Sequence, residues 1–269
     1  MMRGVSAEGL HESVQRLESV AEAGDALTIG AELLAVSDVL SREGSLRRAI
    51  TDPAAATEAR RALVHSVFDG KLAADTIEVI TTAAAARWSS TTDFVAAAEH
   101  LGVLAIVIQA EKDGTLDELE DELFRFGRVV SSDPALRDAI TNKQVPVDRR
   151  QALVEGLLAG RASVPATRLA VQAVASRHRS FEAALDEFQK AASDRRRRLV
   201  AKVTSAITLS GDQRERLAAA LTRQYGRDVH LNTVVDPDVI GGIRVDIGDD
   251  VIDGSIAGRL DDARRRMTG

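Results

Sequence analysis

Cysteine is absent from these 269 residues, and aromatic side chains are scarce, with one Trp, one Tyr and six Phe. Without Cys there is no disulfide framework and no thiolate metal site, which suits a reducing compartment. One Trp and one Tyr make no stacking platform for bases. An excess of cations is also missing: the formal net charge is -6, which argues against general nucleic-acid binding. Long apolar runs are lacking too. The longest, Val103 to Ile108, is far too short to cross a bilayer. The opening stretch, Met1 to Glu8, has no apolar segment of the secretory kind. A role at a membrane would therefore need another chain to hold this one there.

The residues of common chemistries are thinly spread. Histidines stand at 11, 65, 100, 178 and 230, none within four residues of another, so the zinc-helix spacing is missing. Asp236, Asp238, Asp246, Asp249, Asp250 and Asp253 are dense, but they lack the calcium-loop spacing and its closing Glu, and they read as turn residues on a solvated hairpin. No Gly-rich phosphate loop ends in Lys-Ser/Thr, so ATP binding by this chain is not expected. Gly254-Ser255-Ile256-Ala257-Gly258 has the wrong spacing for a nucleophile elbow. No catalytic, cofactor-binding or metal-ligating residue is assigned. The run Arg195 to Arg198 reads first as a solvated helix end and second as a contact for phosphate or an acidic partner.

What is present is helix-forming sequence. Hydrophobic residues make up 45% and there are only five Pro, so helix is favoured and one or two domains with a full core are expected. An internal repeat organises them. Leu46-Arg-Arg-Ala-Ile-Thr51 matches Leu136-Arg-Asp-Ala-Ile-Thr141, 90 positions on. At the same offset Arg60, Ala62, Leu63, Val64 and Gly70 match Arg150, Ala152, Leu153, Val154 and Gly160. Ala83, Ala85 and Arg87 match Ala173, Ala175 and Arg177, and upstream Leu33 and Val39 match Leu123 and Val129. Trp88 aligns with His178, two packing solutions for one position. Beyond this the copies are expected to slip by three residues, so that Phe94 meets Phe181. Ungapped identity at Leu, Ile, Gly and Arg points to two supersecondary units.

In the second unit, Leu101, Leu104, Val107 and Ile108 keep a helical spacing that Gly114 breaks. Leu116, Leu119, Leu123, Phe126 and Val130 form the next stripe, ended by Asp133-Pro134. Asp148 is expected to cap a helix that stops at Gly160, Pro165 opens another, and Ser180 caps the last.

The end of the chain changes period. Leu199 to Leu209 alternates as a strand, Ser210-Gly-Asp-Gln213 resembles a capping box, and Leu217, Ala220 and Leu221 stripe a helix that Gly226 ends. Val229, Leu231, Thr233 and Val235 alternate before Asp236-Pro237-Asp238 breaks the strand. Gly241-Gly242 leads into Ile243, Val245 and Ile247, Gly248-Asp249-Asp250 turns the chain, and Val251-Ile252-Asp253 returns. Ser255 is placed to cap a terminal helix with Ile256, Leu260, Ala263 and Met267 on one stripe. The expected architecture is mainly α: helical-bundle units at 1–100 and 101–192, then a small α+β module with a β-hairpin at 193–269.

The run Val235-Asp-Pro-Asp-Val-Ile-Gly-Gly-Ile-Arg-Val-Asp-Ile-Gly248, followed by Val251-Ile-Asp-Gly-Ser255, resembles the C-terminal signature of the δ subunit of F-type ATP synthases, called oligomycin-sensitivity-conferring protein in mitochondria. That family carries one helical bundle; a second copy is similar to some actinobacterial members. The resemblance implies a non-catalytic stator on the cytoplasmic face of a bacterial membrane, bound to the α subunits of the catalytic head and to the b stalk. It implies an α-helix groove between the first and fifth helices of a bundle. In the second unit these map to Leu101, Leu104 and Ile108 with Leu169, Val171 and Val174, the favoured site; in the first they map to Leu10, Val14 and Leu17 with Val79, Ile80 and Ala84. For the b stalk it implies the apolar residues Val239, Ile240, Val251, Ile252 and Ile256. A generic helical adaptor is the alternative that the residues alone allow.

Overall fold

A computed structural model describes residues 4–197, 199–226, 229–236, 239, 242–247 and 250–253. The chain forms two compact units, Met1–Arg195 and Arg196–Gly269.

The first unit is all helix. It comprises α1 (Val5–Ala21), α2 (Ala26–Arg42), α3 (Gly44–Ile50), α4 (Thr57–Phe68), α5 (Ala74–Ala85) and α6 (Thr91–Lys112). It continues with α7 (Leu116–Ser132), α8 (Pro134–Thr141), α9 (Val147–Leu158), α10 (Val164–Ala175) and α11 (Phe181–Arg197). Starts and stops follow local chemistry. Asp25, Ser90, Asp133 and Ser163 accept backbone N–H bonds as N-caps of α2, α6, α8 and α10. Gly70 and Gly160 have φ of 72° and 68°, the left-handed region that lets the chain leave α4 and α9. Asp148 is not a cap. The helix begins earlier, at Val147 after Pro146, so Asp148 lies in the first turn, where its charge favours the helix dipole.

Helix positions recur at the 90-residue offset, α2 with α7, α4 with α9 and α5 with α10. The offset holds at the next cap as well: Ser90 accepts from the Asp93 N–H and Ser180 from the Ala183 N–H, each at 3.1 Å. No slip of three residues occurs there; Phe94 is simply three residues deeper in its helix than Phe181 is.

The division expected between residues 100 and 101 falls inside α6, which runs unbroken. One face of α6 supplies Phe94, Val95, Ala98, Leu101, Leu104, Ala105 and Ile108 to a core shared with α1, α2 and α5. The opposite face supplies Val103, Ile106, Val107 and Ala110 to a second core with α7, α10 and α11. α6 thus closes the first set of helices and opens the second. Its length and composition alone would allow it to cross a membrane, but its apolar surface is buried within the unit. A helix apolar all round is a core helix when neighbours cover both faces.

The second unit contains β1 (Leu199–Ser205), α12 (Gly211–Tyr225), β2 (Val229–Val235), β3 (Ile243–Ile247) and β4 (Asp250–Asp253). The sheet order is β2-β1-β3-β4, with β1 and β2 parallel and the β1–β3 and β3–β4 pairs antiparallel. α12 makes the crossover that a parallel pair requires. Ser210 and Gln213 form a reciprocal capping box at its start, and Gly226, with φ of 67°, ends it. Ala201, Val203, Val229, Val245, Ile247 and Leu221 form the core. β1 ends at Ser205, short of the expected Leu209; the Ser205 hydroxyl donates to the Ile207 carbonyl and Ile207 is exposed. The expected terminal helix, with Ser255, Ile256, Leu260, Ala263 and Met267, lies outside the described residues.

Candidate docking surfaces

Several buried and half-buried polar side chains of the helical unit hold backbone groups at helix ends. The Glu32 carboxylate accepts from the Ala73 N–H (3.0 Å) and the Thr76 hydroxyl (2.5 Å), anchoring the N-terminus of α5. Glu122, 90 residues on, accepts from the Ser163 N–H (2.9 Å) and hydroxyl (2.5 Å) at the N-terminus of α10. Carboxylates suit helix N-termini because orphan N–H groups and the dipole both favour negative charge there. Arg60 donates to the carbonyls of Ala84, Ala85 and Ala86 at the end of α5, and Arg150 to those of Ile140, Val145 and Val174. The repeat's shared Arg is thus a brace between helices.

Trp88 and His178 also serve packing. The Trp88 ring meets Phe94 edge-on, with centroids 5.7 Å apart, and its N–H donates to the Ala83 carbonyl. His178 meets Phe188 in the same manner at 6.2 Å.

A shallow cleft between α1, α4 and α5 is lined by Arg16, Arg61, His65, Asp69 and Glu78. Within it Arg16 pairs with Glu78 at 3.0 Å, and the His65 ring nitrogen lies 3.0 Å from the Asp69 carboxylate.

The six residues expected to line one groove are divided between two cores. Leu101, Leu104 and Ile108 are buried against α1, α2 and α5. Leu169 and Val174 are buried in the second core, and Val171 is half-buried at its edge. Helix α2 reaches into that second core with Leu34, and Leu27 packs against it. In the first set, Leu17, Val79, Ile80 and Ala84 are interior, while Leu10 and Val14 are half-buried on α1.

In the C-terminal unit, Val251 and Ile252 lie on β4, the edge strand. Val251 is 55% exposed and pairs across from Asp246. Ile252 pairs across from buried Val245 and is 37% exposed, so it extends the core face of the sheet. Val239 is half-buried, and Ile240 and Ile256 lie outside the described residues. Val234 and Val235 on the other edge are also exposed. Apolar side chains on sheet edges are unusual unless something covers them.

Arg195 departs from the solvated helix end that the arginine run predicts. Arg195 is buried and bridges Glu18 and Glu111. The sequence carries no local sign of it, because Glu18 lies 177 residues away.

The described residues thus combine helices braced by side chains that hold backbone groups of neighbouring segments with a small sheet whose two edges carry exposed valines. The family model described as ATP synthase delta (OSCP) subunit matches residues 103–267. An ATP synthase subunit delta from Streptomyces avermitilis is 46% identical over 267 residues, covering 98% of both chains. One from Streptomyces coelicolor is 45% identical over 269 residues, covering 99% of this chain and 98% of its own. One from Kineococcus radiotolerans is 45% identical over 259 residues, covering 96% and 94%. The chain belongs to the ATP synthase delta (OSCP) subunit family.

Proposed function

We infer that this chain is a non-catalytic peripheral-stalk subunit of an F-type ATP synthase, linking the catalytic head to the membrane-anchored b stalk. The observation that carries this reading is the 46% identity to an ATP synthase subunit delta across 98% of both chains. Its association with the membrane is peripheral, through the complex, and we place it on the cytoplasmic face. The work is mechanical: rotation of the central stalk exerts torque on the head, and the stator resists it. Several tethered contacts suit sustained load, because each raises the effective concentration of the others.

The helical copies expected at 1–100 and 101–192 are read as a duplication whose two sets, α1–α6 and α6–α11, share α6, with 193–269 as the C-terminal module. Recurring braces at Glu32 and Glu122, and at Arg60 and Arg150, support that reading. An amphipathic helix from an α subunit binds the helical copies where a first and a fifth helix meet. In the second copy these are α6 and α10, with Leu101, Leu104, Ile108, Leu169, Val171 and Val174, of which Val171 alone is reachable without opening a core. In the first copy Leu10 and Val14 on α1 are reachable, so we favour α1 and α5 as the site of first contact. The b stalk is assigned to the C-terminal module, at Val239, Ile240, Val251, Ile252 and Ile256.

The test is co-purification of the full chain with α and b chains. Recovery of both supports the reading, and recovery of neither, with other partners in their place, favours a generic helical adaptor. Val14→Arg should weaken capture of an α N-terminal peptide while Val171→Arg spares it. The reverse pattern would move the contact to the second copy.

A further inference from the structure

The run that begins at Asp194 closes the helical unit, and its first arginine is not an exposed helix-end cation. The Arg195 side chain is 8% exposed. Its Nε donates to Glu111 Oε2 at 2.6 Å and its Nη1 to Glu18 Oε1 at 2.5 Å. Glu18 stands in the last turn of α1, Glu111 in the last turn of α6 and Arg195 in the last turn of α11. The first, shared and last helices of the unit therefore meet in one guanidinium. Beside it, Lys112 Nζ donates to the carbonyls of Ala21 (2.9 Å) and Gly24 (2.8 Å), tying the end of α6 to the end of α1 a second time. A planar fork can serve two carboxylates at once, which a compact ammonium does less well.

The chain passes from the helical unit into the C-terminal module immediately beyond Arg195. We propose that Arg195 is the anchor through which a pull on the C-terminal module is delivered to α1 and α6. Unanchored, α11 would peel from its end, opening one backbone bond at a time. With the anchor in place, the same pull acts on three helices together. The proposal takes the origin of the pull from the peripheral-stalk reading.

Hydrogen exchange on the full chain tests the anchor. Arg195→Met should speed amide exchange roughly hundred-fold in the last turns of α1, α6 and α11 together, because it removes the buried guanidinium that joins the half-buried carboxylates of Glu18 and Glu111 and opens the unit locally. α12 and the sheet should keep their protection, and Arg195→Lys should be intermediate. Acceleration confined to α11 overturns the proposal. Should Arg195→Met fail to fold, Glu18→Gln gives the same decision with a smaller change: α11 must accelerate although the substitution is in α1, and an unchanged α11 overturns it. In the assembled synthase, Arg195→Met should lower the protons pumped per ATP hydrolysed as the opposing gradient rises. Joint acceleration with unchanged pumping overturns the delivery of force. Failure of the unsubstituted chain to assemble with α and b overturns the stalk reading instead.

Discussion

Gly30 of α2 lies directly against Gly102 of α6. A Cβ added at Gly30 would stand 2.6 Å from the Ile106 side chain and 2.9 Å from the Gly102 carbonyl oxygen, and one added at Gly102 would stand 2.8 Å from Leu34. The two helices approach this closely only because neither carries a side chain at the crossing. Through it α2 packs on the helix that both cores share.

Gly102→Val should therefore cost at least about 1–3 kcal/mol, the usual range for overpacking, because one neighbour is the Gly30 carbonyl, which cannot swing aside. Urea unfolding of the full chain measures it. A neutral substitution would mean that the crossing is looser than described.

Glu32 and Glu122 brace corresponding helix starts. Glu32→Ala and Glu122→Ala should each cost about 1.5–3 kcal/mol, the usual range for hydrogen bonds to a charged group. Similar losses in thermal unfolding are expected, since both carboxylates meet an N–H and a hydroxyl. A large loss in one and none in the other would show that the two braces are not equivalent.

Asp38 supplies a pH dependence. Burial pushes its carboxyl above the ordinary value near 3.8, Arg42 opposes the shift, and the carboxylates of Glu99 and Asp148 add to it. Glu99 is itself buried and held by the Gln172 amide at 3.1 Å. A raised pKa means that the folded chain holds this proton more tightly than the unfolded chain does. The stability it contributes is full below the ordinary value and is lost as pH rises through the raised one. Asp38→Asn should flatten stability over that window and stabilise the chain at neutral pH. Unfolding midpoints at pH 4, 5, 6 and 7 would reveal it, and an unchanged slope would remove Asp38 as its source.

The C-terminal module offers a clean separation of fold from docking. Val251 is 55% exposed, so Val251→Lys, which sets a cation across from Asp246, should change stability by no more than ~0.5 kcal/mol. If β4 receives the b stalk, the same change should weaken b binding at least about ten-fold, the equivalent of ~1.4 kcal/mol. Titration calorimetry with a b-stalk fragment reads the affinity, and thermal unfolding of the same variant reads the stability. Undiminished affinity would take Val251 out of the interface.

Much of this architecture was legible in sequence because local signals agreed with one another. Alternation in Val229 to Val235 and Ile243 to Ile247, with Ser210-Gln213 and Gly226 bounding α12, located the elements of the C-terminal unit. The 90-residue offset anticipated matching helices, and it held further than expected, through Ser90 and Ser180. The role of α6 was not legible. A helix with cores on both faces has no single stripe, so periodicity could not say which residues face which neighbours. For that reason the sequence pattern does not separate Leu101, Leu104 and Ile108 from Leu169, Val171 and Val174, which pack in different cores. The surroundings of Arg195 depend on carboxylates 84 and 177 residues away, which no local pattern encodes.

The central claim is that this chain holds the catalytic head to its stator. Its most direct test is proton pumping driven by ATP hydrolysis in membranes whose synthase has been stripped of this chain and then resupplied with it. The account predicts that stripping leaves the head able to hydrolyse ATP but unable to pump, and that adding the chain back restores pumping. Pumping that persists without it, or that the returned chain does not restore, would contradict the account.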